Sequence, residues 1–101
     1  MIGRKFNFHD GEKGSALAVR IADDQGKIGI INVLEDGTLV INLTGKSKDL
    51  NQELIKFLAK ILNINEKRFD VVAGMEGSEK IISILDIAPE KIQDLVLDKL
   101  A

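Results

Sequence analysis

The sequence predicts a single α+β domain in which a small sheet is covered on one face by two helices. Its 101 residues are 45% hydrophobic and 30% charged, which is the balance of one folded domain. Residues 50–62 read LNQELIKFLAKIL, and their apolar side chains return every three or four positions, as on one face of a helix. Alternating segments on both sides predict strands in the order βββαββα. We therefore expect a mixed or antiparallel sheet of four to five strands with both helices on one face.

The N-terminal residues stand apart from this domain, which we assign to residues 16–101. Glycines within residues 1–15 favour a flexible segment, whereas Phe6 and Phe8 are two positions apart, as on one face of a strand. We expect this segment to be either flexible or a short edge strand, and both alternatives stay open.

Three strands are predicted before the first helix, at residues 16–21, 27–33 and 38–43. A DDQG segment joins the first two strands and has the composition of a turn. Asp36 and Gly37 join the second and third strands, and Asp-Gly between alternating apolar runs is a strong hairpin signal. We expect consecutive strands to be antiparallel neighbours.

The flanking residues mark the ends of the two helices. Asp49 is suited to cap the first helix, and the glutamine three positions later can complete a capping box. Asn63 is expected in the left-handed conformation that ends a helix. Further strands are predicted at residues 68–73 and 80–85, and Pro89 suits the first turn of a closing helix. The predicted buried stripe of that helix comprises Ile92, Leu95, Val96 and Leu100.

The composition excludes several classes of function. With 14 basic and 16 acidic side chains the net charge is −2, so no overall field attracts nucleic acid or anionic lipid. The absence of cysteine excludes disulfides, thiolate nucleophiles and cysteine-based metal sites, and fits the reducing cytoplasm. His9 is expected to be an ordinary exposed side chain, and Asp23 and Asp24 to be solvated turn residues. We expect no catalytic residues, metal, cofactor, membrane span or signal peptide.

Counting strand directions brings three loops to one end of the predicted sheet, together with the start of the first helix. Free backbone N–H groups and the positive end of a helix dipole can bind an anion there. The same loops carry five acidic side chains against four lysines, so they are not strongly positive. We expect either a weak site for a phosphate-bearing ligand such as RNA or ordinary solvated loops. The candidate anion-binding residues are Lys27, Lys46, Lys48, Asn51, Ser78 and Lys80.

Two short motifs match part of the sequence pattern of phosphate-binding loops but lack the surrounding structure that those loops require. A GKS segment lies between a strand and a helix, as in a P-loop, but Val40 stands where that motif requires a glycine. Gly74 and Gly77 have the GxxG spacing of an RNA-binding fold, in which the loop joins helices, whereas this loop joins predicted strands. We interpret both segments as turns.

The segment that begins at Asp36, DGTLVINLTGKSKDLNQELIKFLAKILNINEKRFDVVAGMEGSEKIISI, resembles the YggU-like family of small uncharacterised α+β proteins. Residues 17–33 also resemble the first hairpin of that family. The resemblance implies a compact sheet with both helices on one face, and it implies no activity. The chain keeps Asn51 and Lys80 but lacks the prolines and the Gly-Lys-Ala-Asn before the helix, and the later Ser-Arg-x-Lys. If the family binds an anion at this end, Asn51 and Lys80 are its remnants, and the function would be weakened or lost here.

The leading expectation is a non-enzymatic binding or accessory domain that contacts a phosphate-bearing partner through the loops. An enzyme is disfavoured because the serines have only a distant histidine as a possible base. The alternative is a protein–protein interaction module. It would form a homodimer through the sheet face away from the helices, where Ile31, Val33 and Val40 would be exposed.

Overall fold

The computed structural model describes residues 2–8, 11–22, 26–43, 49–74 and 77–100, which form one mixed sheet and two helices. The predicted α+β class is confirmed, with six strands in these ranges where four to five were expected. A 3-10 turn lies between the first helix and the fifth strand. The elements are β1 (Arg4–Asn7), β2 (Lys13–Ala22), β3 (Gly29–Val33), β4 (Leu39–Asn42), α1 (Leu50–Leu62), β5 (Phe69–Ala73), β6 (Glu79–Leu85) and α2 (Pro89–Leu100).

The strands are arranged in the order β3-β4-β2-β6-β5, with the long strand β2 at the centre. β6 pairs antiparallel along one edge of β2. Two strands share the other edge of β2: β1 pairs antiparallel with residues 13–16, and β4 pairs parallel with residues 19–22. β3 pairs antiparallel with β4, and β5 pairs antiparallel with β6.

The expected pairing of β2 with β3 is wrong, because β4 lies between them. Leu39 and Ile41 of β4 are fully buried, so this strand suits a central position. β3 has an exposed Ile31 and a register shift between Ile30 and Asn32, and both features suit an edge strand. The hairpin predicted between β3 and β4 is confirmed by their antiparallel register.

The N-terminal segment contributes to the sheet and to the core. Residues 4–7 form β1, and β2 already begins at Lys13. Ile2 is buried, and its N–H donates to Oε1 of Gln93 in α2, 3.0 Å away. Residues 2–8 are therefore fixed to both the sheet and the second helix.

Both helices form where the sequence predicts them. Oδ1 of Asp49 accepts a hydrogen bond from the backbone N–H of Gln52, 3.0 Å away, and Asn63 adopts the expected left-handed conformation with φ of 55°. Leu100 was expected to be buried and is 44% exposed, because it lies about 80° around the helix from Ile92. The buried residues that join sheet and helices include Leu17, Val19, Leu39, Ile41, Ile82, Ile84, Leu54, Leu58, Ile92 and Val96.

Candidate functional site

Three strands finish at the same end of the sheet. β2 and β4 are parallel, and β5 runs in the same direction because β6 is antiparallel to both β2 and β5. The 13 residues of α1 span about 20 Å, and only residues 63–68 separate α1 from the start of β5 at the other end. α1 therefore begins where β2, β4 and β5 finish. We call this region the loop end; its described residues are 26–28, 43, 49, 74 and 77–78.

Two hydrogen bonds hold the loop end together. The N–H of Ile21, near the end of β2, donates to the carbonyl of Ser78, 2.7 Å away. Nδ2 of Asn42, at the end of β4, donates to the carbonyl of Lys27, 2.9 Å away. Each bond joins a loop to the end of a strand, and the two strands, β2 and β4, are neighbours, so residues 26–28 and 77–78 form part of one surface at this end of the sheet. The side chains of Lys27 and Ser78 are exposed on this surface.

Lys80 lies beneath the loop end instead of on its surface. It is only 3% exposed, and it is in register with the buried Val19. Its Nζ donates to the carbonyl of Gly74, 2.9 Å away. The alternating pattern of β6 indicates that Lys80 is buried, because Lys80 shares the core-facing side of the strand with Ile82 and Ile84. The Lys80 ammonium therefore helps to close the loop between β5 and β6.

The start of α1 is already occupied by a carboxylate of the chain. Asp49 caps the helix through the N–H of Gln52. The helical pattern of residues 50–62 puts Asn51 and Glu53 on the polar side, but Asn51 is half-buried, and Oδ1 of Asn51 and Oε2 of Glu53 are shielded from solvent. An anion that approached the positive end of the helix dipole would meet the negative charge of Asp49. α1 thus contributes less to an anion site than its position suggests.

Two of the candidate anion-binding residues, and three residues that were expected to be ordinary, lie outside the described residues. They include Lys46 and Lys48 of the GKS region, and also His9, Asp23 and Asp24. Of the remaining candidates, the structure brings Lys27 and Ser78 to one exposed surface, and it places Lys80 below that surface. Asn51 belongs to the first turn of α1 at the same end.

The sheet face away from the helices differs from the face expected for a homodimer. Val33 was expected there, but it is paired with the buried Leu39 and packs against the core. Val40 is half-buried, and Ile31 is 51% exposed at the outer strand β3. The register of β3 explains the difference, because its shift after Ile30 reverses the faces of the residues that follow. Homodimer formation stays a prediction.

Polar groups near the centre of that outer face are bonded to one another. Arg20 and Glu79 form an ion pair with an N–O distance of 2.8 Å. In the β3–β4 turn, the N–H of Thr38 donates to Oδ1 of Asp36, 3.0 Å away, and this bond lowers the pKa of the Asp36 carboxyl. These four polar side chains are therefore partly engaged within the fold.

A cavity of about 380 Å³ lies at the opposite end of the molecule, between β1 and the start of α2. Oγ of the buried Ser15 donates to the carbonyl of Ile87, 2.6 Å away, and fixes the start of α2 to β2. The two bonded residues are 72 positions apart in the chain, which is why sequence reasoning missed this site. We call it the β1–α2 groove. Its lining includes Lys5, Asn7, Lys13, Asp86, Ile87, Pro89 and Glu90.

The chain matches none of the known protein-family models. Its membership in the YggU-like family therefore stays a prediction. Among the described residues, no group of three or more histidine, aspartate or glutamate side chains is placed to hold a metal ion. In the same part of the chain, neither helix combines the length and the apolar character needed to cross a membrane.

Proposed function

We propose that the protein is a non-enzymatic binding domain whose loop end contacts a phosphate-bearing partner, with RNA as the leading candidate. The main support is that the Ile21–Ser78 and Asn42–Lys27 hydrogen bonds hold two loops against the ends of the neighbouring strands β2 and β4, on one surface. Lys27 and Ser78 are exposed on this surface, and the connection before α1 adds two lysines from the sequence. The absence of cysteine supports a cytoplasmic location for this function.

The chemistry of these side chains favours phosphate contacts over base recognition. Lysine ammonium and serine hydroxyl groups donate to phosphate oxygens, and such contacts carry no sequence information. All four aromatic residues of the chain are phenylalanines, and none of them belongs to these loops. In these loops, bases would therefore find no aromatic side chain on which to stack. We expect weak RNA binding that depends little on sequence and decreases as salt rises.

Fluorescence anisotropy with a labelled single-stranded RNA of mixed sequence tests this proposal. The double variant Lys27→Ala/Lys48→Ala removes two phosphate contacts, so the slope of log affinity against log salt should fall by about 1.4. The control Lys56→Ala/Lys60→Ala removes two exposed charges from α1 and should leave the slope nearly unchanged. An equal effect of both variants would show that only overall charge attracts RNA, and the proposed site would be abandoned.

A further inference from the structure

Within the described residues, three strands present an edge that could accept another strand: β3, β5 and β1. β3 has a register shift between Ile30 and Asn32, and β5 has one between Val71 and Ala73. Such bulges disturb the ladder and protect a sheet edge against pairing with another chain. β1 instead has four consecutive register pairs with β2 and no shift. β1 is therefore the edge best suited to accept a further strand.

The free edge of β1 consists of backbone groups of Lys5 and Asn7. At the hairpin end, the N–H of Phe8 donates to the carbonyl of Glu12, 2.9 Å away. Because hydrogen-bonded and non-hydrogen-bonded pairs alternate along an antiparallel ladder, the N–H and C=O groups of Asn7 and Lys5 point away from β2. β2 is the only strand that pairs with β1 within the described ranges.

The side chains of the same residues line the β1–α2 groove. Lys5 is opposite the buried Ser15 in register, and Asn7 is opposite Lys13, so all four lie on the helix side of the sheet. Of the two carboxylates of the groove, Glu90 belongs to the first turn of α2, and Asp86 belongs to the turn between β6 and α2. Within the described part of the chain, no ion pair joins the two lysines to the two carboxylates. Charges of both signs are thus available to a ligand.

We propose that the β1–α2 groove binds an extended peptide, which adds to the free edge of β1 as a strand. The peptide carries an acidic and a basic side chain two residues apart. Such side chains point to the same face of a strand and lie about 7 Å apart. The acidic side chain meets Lys5 and Lys13, and the basic one meets Asp86 and Glu90. Main-chain hydrogen bonds supply affinity, and the charged side chains determine which peptide sequences bind.

An amide NMR titration of the full chain with the peptide acetyl-Ser-Glu-Val-Lys-Ser-amide tests the strand addition. We expect shifts in β1 and at the start of α2, with the loop end unchanged. In one variant peptide the backbone nitrogens of Glu and Lys are methylated, and in another that of Val is methylated. Each variant loses the N–H donors of one edge of the peptide strand, and the two variants affect opposite edges. One of the two should bind roughly tenfold more weakly than the parent. The proposal is overturned if both bind like the parent, or if the parent shifts no amide of β1.

Charge reversal in the groove tests whether the two lysines bind the acidic side chain of the peptide. The variant Lys5→Glu/Lys13→Glu should weaken binding of the parent peptide roughly tenfold, because the acidic side chain loses both cations. The control Lys56→Glu/Lys60→Glu makes the same change of net charge on exposed positions of α1 and should alter affinity less than about twofold. Equal losses in the two variants would contradict binding in the groove.

Discussion

The two ends of the sheet use their polar side chains differently. At the loop end, Lys80 donates to the Gly74 carbonyl and Asp49 caps α1, so both side chains serve the fold. In the β1–α2 groove, Lys5 and Lys13 form no ion pair with the facing carboxylates within the described part of the chain. The loop end has the composition of a binding site, whereas the groove has charged groups that the fold leaves available.

This difference shows that residue type and loop position are weak indicators of a ligand site. A lysine beside a glycine-rich loop can form part of the fold, as Lys80 does through its bond to the Gly74 carbonyl. Among the described candidates, the exposed side chains of Lys27 and Ser78 are the ones that a partner could contact at the loop end.

The largest expected effect tests whether the β5–β6 loop is a fixed part of the fold. Gly74 has φ of +72°, and a Cβ there would overlap the carbonyl oxygen of Glu79. Gly74→Ala should lower the free energy of unfolding by about 3 kcal/mol through strain and overlap. Gly11 has φ of +83°, and a Cβ added there would have no atom within 4 Å, so Gly11→Ala should lower the free energy of unfolding by only about 1 kcal/mol. Urea denaturation measures both, and equal losses would show that no close contact surrounds Gly74.

A smaller effect separates structural from binding lysines. Lys80→Met keeps the length of the side chain but removes the Nζ donor to the Gly74 carbonyl. The free energy of unfolding should therefore fall by about 1–2 kcal/mol. Lys27→Met changes an exposed side chain and should alter stability by less than about 0.5 kcal/mol. RNA affinity should respond in the opposite way and fall only in Lys27→Met. The distinction fails if Lys80→Met is as stable as the parent protein.

The smallest expected effect concerns the charges of the β1–α2 groove. Lys13→Gln/Glu90→Gln removes one charge from each wall, and both side chains are exposed. Stability in urea should change by less than about 0.5 kcal/mol. A loss above about 1 kcal/mol would mean that these charges serve the fold, and the contrast between the two ends would disappear.

The features predicted best from the sequence are those with local signals. α1 begins after Asp49 and ends before Asn63, because a capping carboxylate and a left-handed asparagine act within one helical turn. The burial of Lys80 could also have been predicted from the sequence, because Lys80 alternates in phase with Ile82 and Ile84. Its position beside a glycine-rich loop suggested an exposed cation instead.

The strand order and the groove depend on contacts that no local pattern contains. β4 separates β2 from β3 because the buried side chains of Leu39 and Ile41 favour a central strand. This position depends on how all the strands pack together. The groove arises because Ser15 binds the carbonyl of Ile87 and brings the start of α2 against β1 and β2. Composition and spacing indicate neither arrangement.

An amide NMR titration with inorganic phosphate and then with a short mixed-sequence RNA tests the proposed loop-end function most directly. We predict shifts confined to Gly26, Lys27, residues 45–51 and the amides around Ser78, with β1 unchanged. The absence of shifts at these positions would contradict a phosphate site at the loop end. Shifts in β1 and α2 alone would instead place the binding surface in the β1–α2 groove.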